Sequence, residues 1–217
     1  MDSKIIKYTL LIVLFSFKVC AIEFSGKFIQ GHFILGKTDP SSKILINKKR
    51  IKVSKDGYFA FGIDKDRKLD IVITKNNKKI VKKVLKRKYK IQKIDGLPQK
   101  KVTPPEEFYA RIKKENKLIV DAREIDSDLS FFKEKFILPV NDAVITGVYG
   151  SQRILNGIPK WPHYGLDFAQ KKGSPIKAMN NGIVTLAEKD LFYTGATLIF
   201  DHGHGISTLY MHMDNIF

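Results

Sequence analysis

Pro162-His163-Tyr164-Gly165-Leu166-Asp167-Phe168-Ala169 is the stretch on which the reading of this chain turns. In extended backbone the side chains alternate between two faces, so His163, Gly165 and Asp167 share one of them. Four residues apart on a strand, the histidine and the aspartate are too distant to touch, but they can converge on one ion. Gly165 leaves the space between them open. Imidazole and carboxylate together suit zinc, and a catalytic zinc has three protein ligands and a water. Such a metal makes its water acidic and polarises a carbonyl under attack.

The next element outward is Thr208-Leu209-Tyr210-Met211-His212. Read as a strand over 206–213, it places Thr208, Tyr210 and His212 on one face and Leu209, Met211 and Met213 on the other. The apolar face belongs to a core, and the polar face offers a hydroxyl, a phenol and an imidazole. A histidine so placed can position a water or donate to a developing oxyanion. Between His212 and Phe217 no residue offers a good third zinc ligand.

Further motifs occur in order around these two. They are Gly147-Val148-Tyr149-Gly150-Ser151-Gln152-Arg153, Gly173-Ser174-Pro175-Ile176-Lys177-Ala178, Asn181-Gly182-Ile183-Val184 and Asp201-His202-Gly203-His204-Gly205. Together they resemble the lysostaphin/LytM-type zinc endopeptidases that cut peptidoglycan cross-links, over about residues 136–217. The resemblance implies that His163 and Asp167 are two zinc ligands and that His212 is a catalytic histidine. It implies Zn²⁺ as the cofactor, and Arg153 and Tyr210 are expected as substrate contacts. The family's remaining element is a later His-x-His, whose second histidine is the third ligand. The chain stops before such a strand, so a C-terminally truncated copy with weak or no activity is expected. His202-Gly203-His204 has the same spacing, but it sits in a glycine-flanked turn of a kind that the family does not use for metal.

The rest of the chain fits an exported protein. Lys4 and Lys7, an apolar run from Tyr8 to Phe17 and Val19-Cys20-Ala21 have the form of a secretory signal over residues 1–21. A retained membrane anchor is the alternative. Lys18 stands where a lipobox needs a small apolar residue, which excludes a lipoprotein. Cleavage after Ala21 removes the single cysteine and leaves core packing to hold the exported chain together.

The formal net charge of +17 is unevenly placed. Residues 22–103 carry 23 basic and 7 acidic side chains, whereas residues 104–217 carry 13 and 14. Outside the cytoplasm, a basic face would meet anionic wall polymer or headgroups and not nucleic acid. With 33 lysines to 6 arginines the plainer reading is dispersed solubility charge, since lysine lacks the planar fork of a specific anion reader.

Alternating segments between Gly26 and Leu85, broken at Asp39-Pro40-Ser41, Asn47-Lys48, Asp56-Gly57 and Asn76-Asn77, predict a small β-sandwich. His32 lies within one of its strands and reads as structural. Gly96-Leu97-Pro98 and Thr103-Pro104-Pro105 mark a boundary. The pattern of Phe108, Ile112, Ile119 and Ala122 predicts a helix over roughly Glu106–Asp126. From Phe136 the pattern returns to strands, at Phe136–Pro139, Ala143–Tyr149, Ile176–Ala178, Gly182–Ala187, Thr197–Phe200 and Ile206–Met213.

The expected architecture is therefore mainly all-β. A signal peptide (1–21) precedes a basic β-sandwich (22–98), a linker with a helix (99–135) and an incomplete antiparallel catalytic sheet domain (136–217). The expected function is an exported, periplasmic or secreted, zinc-dependent endopeptidase of peptidoglycan. The alternatives are a non-catalytic LytM-like regulator that acts on other wall hydrolases and a wall-binding module. Substrate choice is expected in the loop Arg153–Pro162. Membrane contact is expected only through an uncleaved signal segment.

Overall fold

The structure, a computed structural model, describes residues 21–217, so the expected signal segment lies outside the described residues except for Ala21. The first half carries seven strands. They are β1 (Glu23–Ser25), β2 (Phe33–Lys37), β3 (Ile44–Ile46), β4 (Lys49–Ile51), β5 (Tyr58–Gly62), β6 (Ile71–Lys75) and β7 (Lys78–Lys82). They form two antiparallel sheets, ordered β1-β2-β5 and β4-β3-β6-β7. Ile44 and Ile46 point inward on either side of Leu45, and Ile71 and Ile73 on either side of Val72, as a period of two requires. These four isoleucines meet Ile34, Phe59, Phe61 and Ile63 in one buried core. Each such side chain contributes about 1.5–3 kcal/mol by leaving water.

The turns follow from asparagine chemistry. Asn47-Lys48 and Asn76-Asn77 all have positive φ, which two-residue hairpin turns need to match strand twist. Asn47 Oδ1 also accepts from the Val72 amide at 3.0 Å, and Asn76 Oδ1 from the Lys43 amide at 2.8 Å. Each turn is thereby tied to the neighbouring strand.

Next come β8 (Ile91–Ile94), the short helix α1 (Gln99–Val102), a 3₁₀ turn (Glu106–Phe108) and helix α2 (Tyr109–Arg123). The expected helix thus begins as a 3₁₀ turn after Pro104-Pro105 and ends at Arg123, slightly short of Asp126. α2 lies beside the later strands. Glu115 Oε2 accepts from the Phe192 amide at 2.6 Å, and the rings of Phe108 and Phe192 stand 4.9 Å apart.

The remaining strands are β9 (Val144–Gly147), β10 (Gln152–Leu155), β11 (Ile158–Pro159), β12 (Asp167–Ala169), β13 (Ile183–Leu191), β14 (Gly195–Asp201) and β15 (Ser207–Met213). β13-β14-β15 form an antiparallel sheet, and β9 pairs with β12. The fold is mainly β, as expected, and no helix follows Lys133 among the described residues. Phe136–Pro139 and Ile176–Ala178 form no regular strands. They lie side by side through Ile137 N to Met179 O (2.9 Å) and Lys177 N to Pro139 O (2.8 Å).

Two features join the halves of the chain. β8 pairs in parallel with β10, Gln92 opposite Arg153, so the last strand of the 22–98 segment lies in a sheet with the C-terminal half. The segment 126–134 is packed between the halves. Phe132, 1% exposed, donates its amide to the His202 carbonyl, and His204 donates its amide to the Ser127 carbonyl. On the other side, Lys52 pairs with Asp126 (3.2 Å) and Asp128 (3.1 Å), and Lys133 with Asp56.

Candidate metal and catalytic site

His163 is held by its backbone before its side chain is considered. Its amide donates to Ser151 O at 2.8 Å, and its carbonyl accepts from Gly150 N at 2.6 Å. The imidazole is 7% exposed, and Nε2 stands 3.1 Å from Asp167 Oδ1. The expectation that the two side chains would be too far apart to touch is therefore corrected. His163 precedes β12 and does not lie in it, and β12 has a register shift between Asp167 and Phe168. The extended spacing that would separate the two groups is absent here.

Burial holds His163 below its ordinary value of 6.5, with Asp167 pulling it back up and Arg153 pushing it down. The neutral imidazole favoured by burial is the form that binds a metal. Nδ1 is buried without a hydrogen-bond partner. Asp167 is half-exposed and stands opposite Gly147 of β9. Its Oδ2 accepts from Arg153 Nη2. Arg153, expected to face substrate, is turned in this structure toward the Asp167 carboxylate.

Geometry tests whether this pair suits zinc. With zinc–ligand bonds of about 2.0–2.2 Å and tetrahedral angles, two donors stand roughly 3.3 Å apart. The His163 and Asp167 atoms stand 3.1 Å apart, so the pair fits two corners of such a site. Among the described residues, no three His, Cys, Asp or Glu side chains gather to complete one.

His212 sits at the far end of β15, where strict alternation fails. Leu198 pairs with Tyr210 and Ala196 with Met213, so Met211 and His212 together oppose Thr197. This is a bulge, and His212 has φ +58°. Its amide donates to Thr194 O at 2.8 Å and its side chain is exposed. Tyr210 is buried, and its hydroxyl accepts from the Met179 amide at 2.6 Å. The Thr208/Tyr210 face therefore packs on Phe200 and His202.

The hairpin histidines are built into the structure. His202 is 0% exposed, with Nδ1 donating to Asn181 O (2.6 Å) and Nε2 sharing a hydrogen with Thr208 Oγ1 (2.8 Å). His204 packs on the Phe132 ring at 4.7 Å. Between them Gly203, at φ +95°, lies against the linker: a Cβ there would stand 1.7 Å from Leu129 O.

Comparison with known proteins now has a site to refer to. Residues 161–217 match the sequence model of peptidase family M23. That segment contains His163, Asp167, Tyr210 and His212, so the match is to the part of the chain whose motifs resemble the LytM-type peptidases. A crystal structure of a Pseudomonas aeruginosa protein assigned to peptidase M23 superposes with a TM-score of 0.62 at 22% identity. It covers 88% of this chain and 75% of its own, so the likeness of fold extends well beyond the matched segment. No curated protein matches the chain in sequence.

Sequence reasoning missed Gln92. Its side-chain oxygen lies 3.3 Å from Arg153 Nε, which brings a residue from the first half of the chain within two bonds of Asp167. The only signal was the Ile-Gln-Lys-Ile alternation at 91–94.

Proposed function

We propose that this protein is an exported, zinc-dependent endopeptidase that cuts the cross-link peptides of peptidoglycan. In this reading His163 and Asp167 hold the metal, and His212 serves as the catalytic histidine. Substrate choice lies in the loop between Arg153 and Pro162, while Tyr210, buried against Phe200 and bonded to the Met179 amide, serves the sheet and not the substrate. The carrying observation is the approach of His163 Nε2 to Asp167 Oδ1 at 3.1 Å, within the segment that matches a peptidase family. Zinc bound there would supply an acidic water and polarise the scissile carbonyl. His212 would add proton transfer once brought to the reacting groups.

The proposed site needs one more ligand than the described residues bring together. The reading therefore includes weak, substoichiometric zinc binding and little hydrolysis by the 217-residue chain alone. A second reading is a non-catalytic regulator of wall hydrolases or a wall-binding protein, which the excess of basic side chains over residues 22–103 would suit.

One experiment separates them. Zinc stoichiometry by elemental analysis and peptidoglycan hydrolysis are measured on the 217-residue chain and on a version extended by a family-type His-x-His segment. The enzyme reading expects both to rise in the extended form and zinc to be lost again in His163→Ala. It expects His212→Ala to keep the metal and lose turnover by about 10²–10⁴-fold. Extension without any gain would leave the regulator. Export is checked separately, by N-terminal sequencing that should begin at Ile22.

A further inference from the structure

β8 reaches the Asp167 carboxylate through two side chains. Gln92 of β8 stands opposite Arg153 of β10 in the parallel pair. Its Oε1 accepts from Arg153 Nε at 3.3 Å, and its Nε2 donates to Thr146 O of β9 at 3.3 Å. Gln92 thus ties Arg153 to the strand that pairs with β12. Arg153 Nη2 donates to Asp167 Oδ2, and the other oxygen, Oδ1, stands 3.1 Å from His163 Nε2. Gly147 leaves room for this arrangement, since a Cβ there would stand 2.2 Å from Oδ2.

We infer that Arg153 and Gln92 are positioning residues that lock Asp167 so that Oδ1 alone is offered, beside His163 Nε2, to a divalent cation. The inference rests on the reading of His163 and Asp167 as metal ligands. A free carboxylate rotates and presents either oxygen. Here one oxygen is held by a guanidinium whose fork is itself fixed by an amide. The spacing of Oδ1 and Nε2 is near that of two donors in a tetrahedral zinc site while Arg153 is in place. The guanidinium therefore has no need to leave before metal enters.

The opposing effect is repulsion between the guanidinium and the cation. Arg153 and Asp167 are both partly exposed, so water screens that repulsion. Outer-shell orientation of metal ligands is commonly worth about 10–100-fold in affinity, and here it sets the sign. The consequence is that the first half of the chain, through β8, tunes the metal site of the second. Arg153 then acts on the metal ligand and not on substrate.

The test uses the full 217-residue chain, with Gln92→Leu, Arg153→Ala, Arg153→Lys and His163→Ala as variants. Without metal, the His163 ring signals in NMR should move in Gln92→Leu and Arg153→Ala while the urea midpoint changes little. With Zn²⁺ in calorimetry, Arg153→Ala should bind about 10–100-fold more weakly, and Arg153→Lys should recover part of the loss. Ring signals that stay put in both variants overturn the inference alone, as does zinc binding that is unchanged or tighter without Arg153. Zinc binding that survives His163→Ala overturns the ligand reading and this inference with it.

Discussion

Replacing His202 with alanine separates a structural histidine from a metal ligand. The His202-Gly203-His204 spacing is that of a metal motif, yet the structure engages both ring nitrogens of His202. The ring is 0% exposed and lies edge-on to Phe136 at 5.1 Å. Truncation removes two hydrogen bonds, each worth about 1 kcal/mol net, and strands the Asn181 carbonyl and the Thr208 hydroxyl. It also opens a ring-sized cavity between Phe136 and Phe200, of the kind that large-to-small changes leave at about 2–5 kcal/mol. The terms overlap, so the expected loss is about 3–5 kcal/mol. Urea unfolding followed by fluorescence should show a lower midpoint with an unchanged slope, equally with and without a chelator. Against a typical domain stability of about 5–15 kcal/mol, the variant should still fold in the cold. Thr208→Val offers a milder check, at about 1–2 kcal/mol. A loss below about 1 kcal/mol in His202→Ala would refute the structural account. So would a folded variant that bound less zinc than the unsubstituted chain.

Two further outcomes follow from the same region and from the buried imidazoles. Gly203→Ala should destabilise by about 2–4 kcal/mol, from a side chain at φ +95° and the displaced Leu129 carbonyl, and should open 126–134 to protease. Wild-type protease resistance there would count against the packed linker. His32, His163 and His204 all titrate below the ordinary 6.5, chiefly through burial, so each binds its proton more weakly folded than unfolded. Stability of the metal-free protein should therefore be full above pH 6.5 and fall as the pH drops through the folded values, which urea midpoints between pH 7.5 and 5 would read. His204→Gln should flatten part of that slope, and a midpoint that rises toward pH 5 would contradict the burial of these rings.

Most of the first half was legible because its signals are local. Isoleucines two residues apart mark inward faces, and Asn47-Lys48 and Asn76-Asn77 supply the backbone that tight hairpins need. The Glu106–Asp126 helix was legible for the same reason. β8 was not. Ile91-Gln92-Lys93-Ile94 alternates as a strand does, but its partner Arg153 is 61 residues away and runs parallel. A parallel pair needs no tight turn, so no turn residue announces it. The boundary placed after residue 98 follows composition, whereas the pairing of β8 with β10 carries the sheet of the C-terminal half back to Ile91. The linker 126–134 is likewise tied to distant chain, since Phe132 donates its amide to the carbonyl of His202, in a turn some 70 residues later.

The residue types of the candidate site were legible, and their placement was not. An alternation argument assumes an unbroken strand, and both parts of the site interrupt one. Asp167 opens β12 at a register shift, which lets His163 contact it directly. His212 lies on the bulge opposite Thr197, which turns it out of the sequence of faces set by Thr208 and Tyr210. One extra residue in a strand exchanges its faces, and bulges gather beside active sites because they re-aim side chains there. A period of two is thus least dependable where a strand is irregular, as at both parts of this candidate site. What survives the irregularity is chemical identity: a histidine and an aspartate four apart around a glycine, with a second glycine across the sheet at Gly147 making room for the carboxylate.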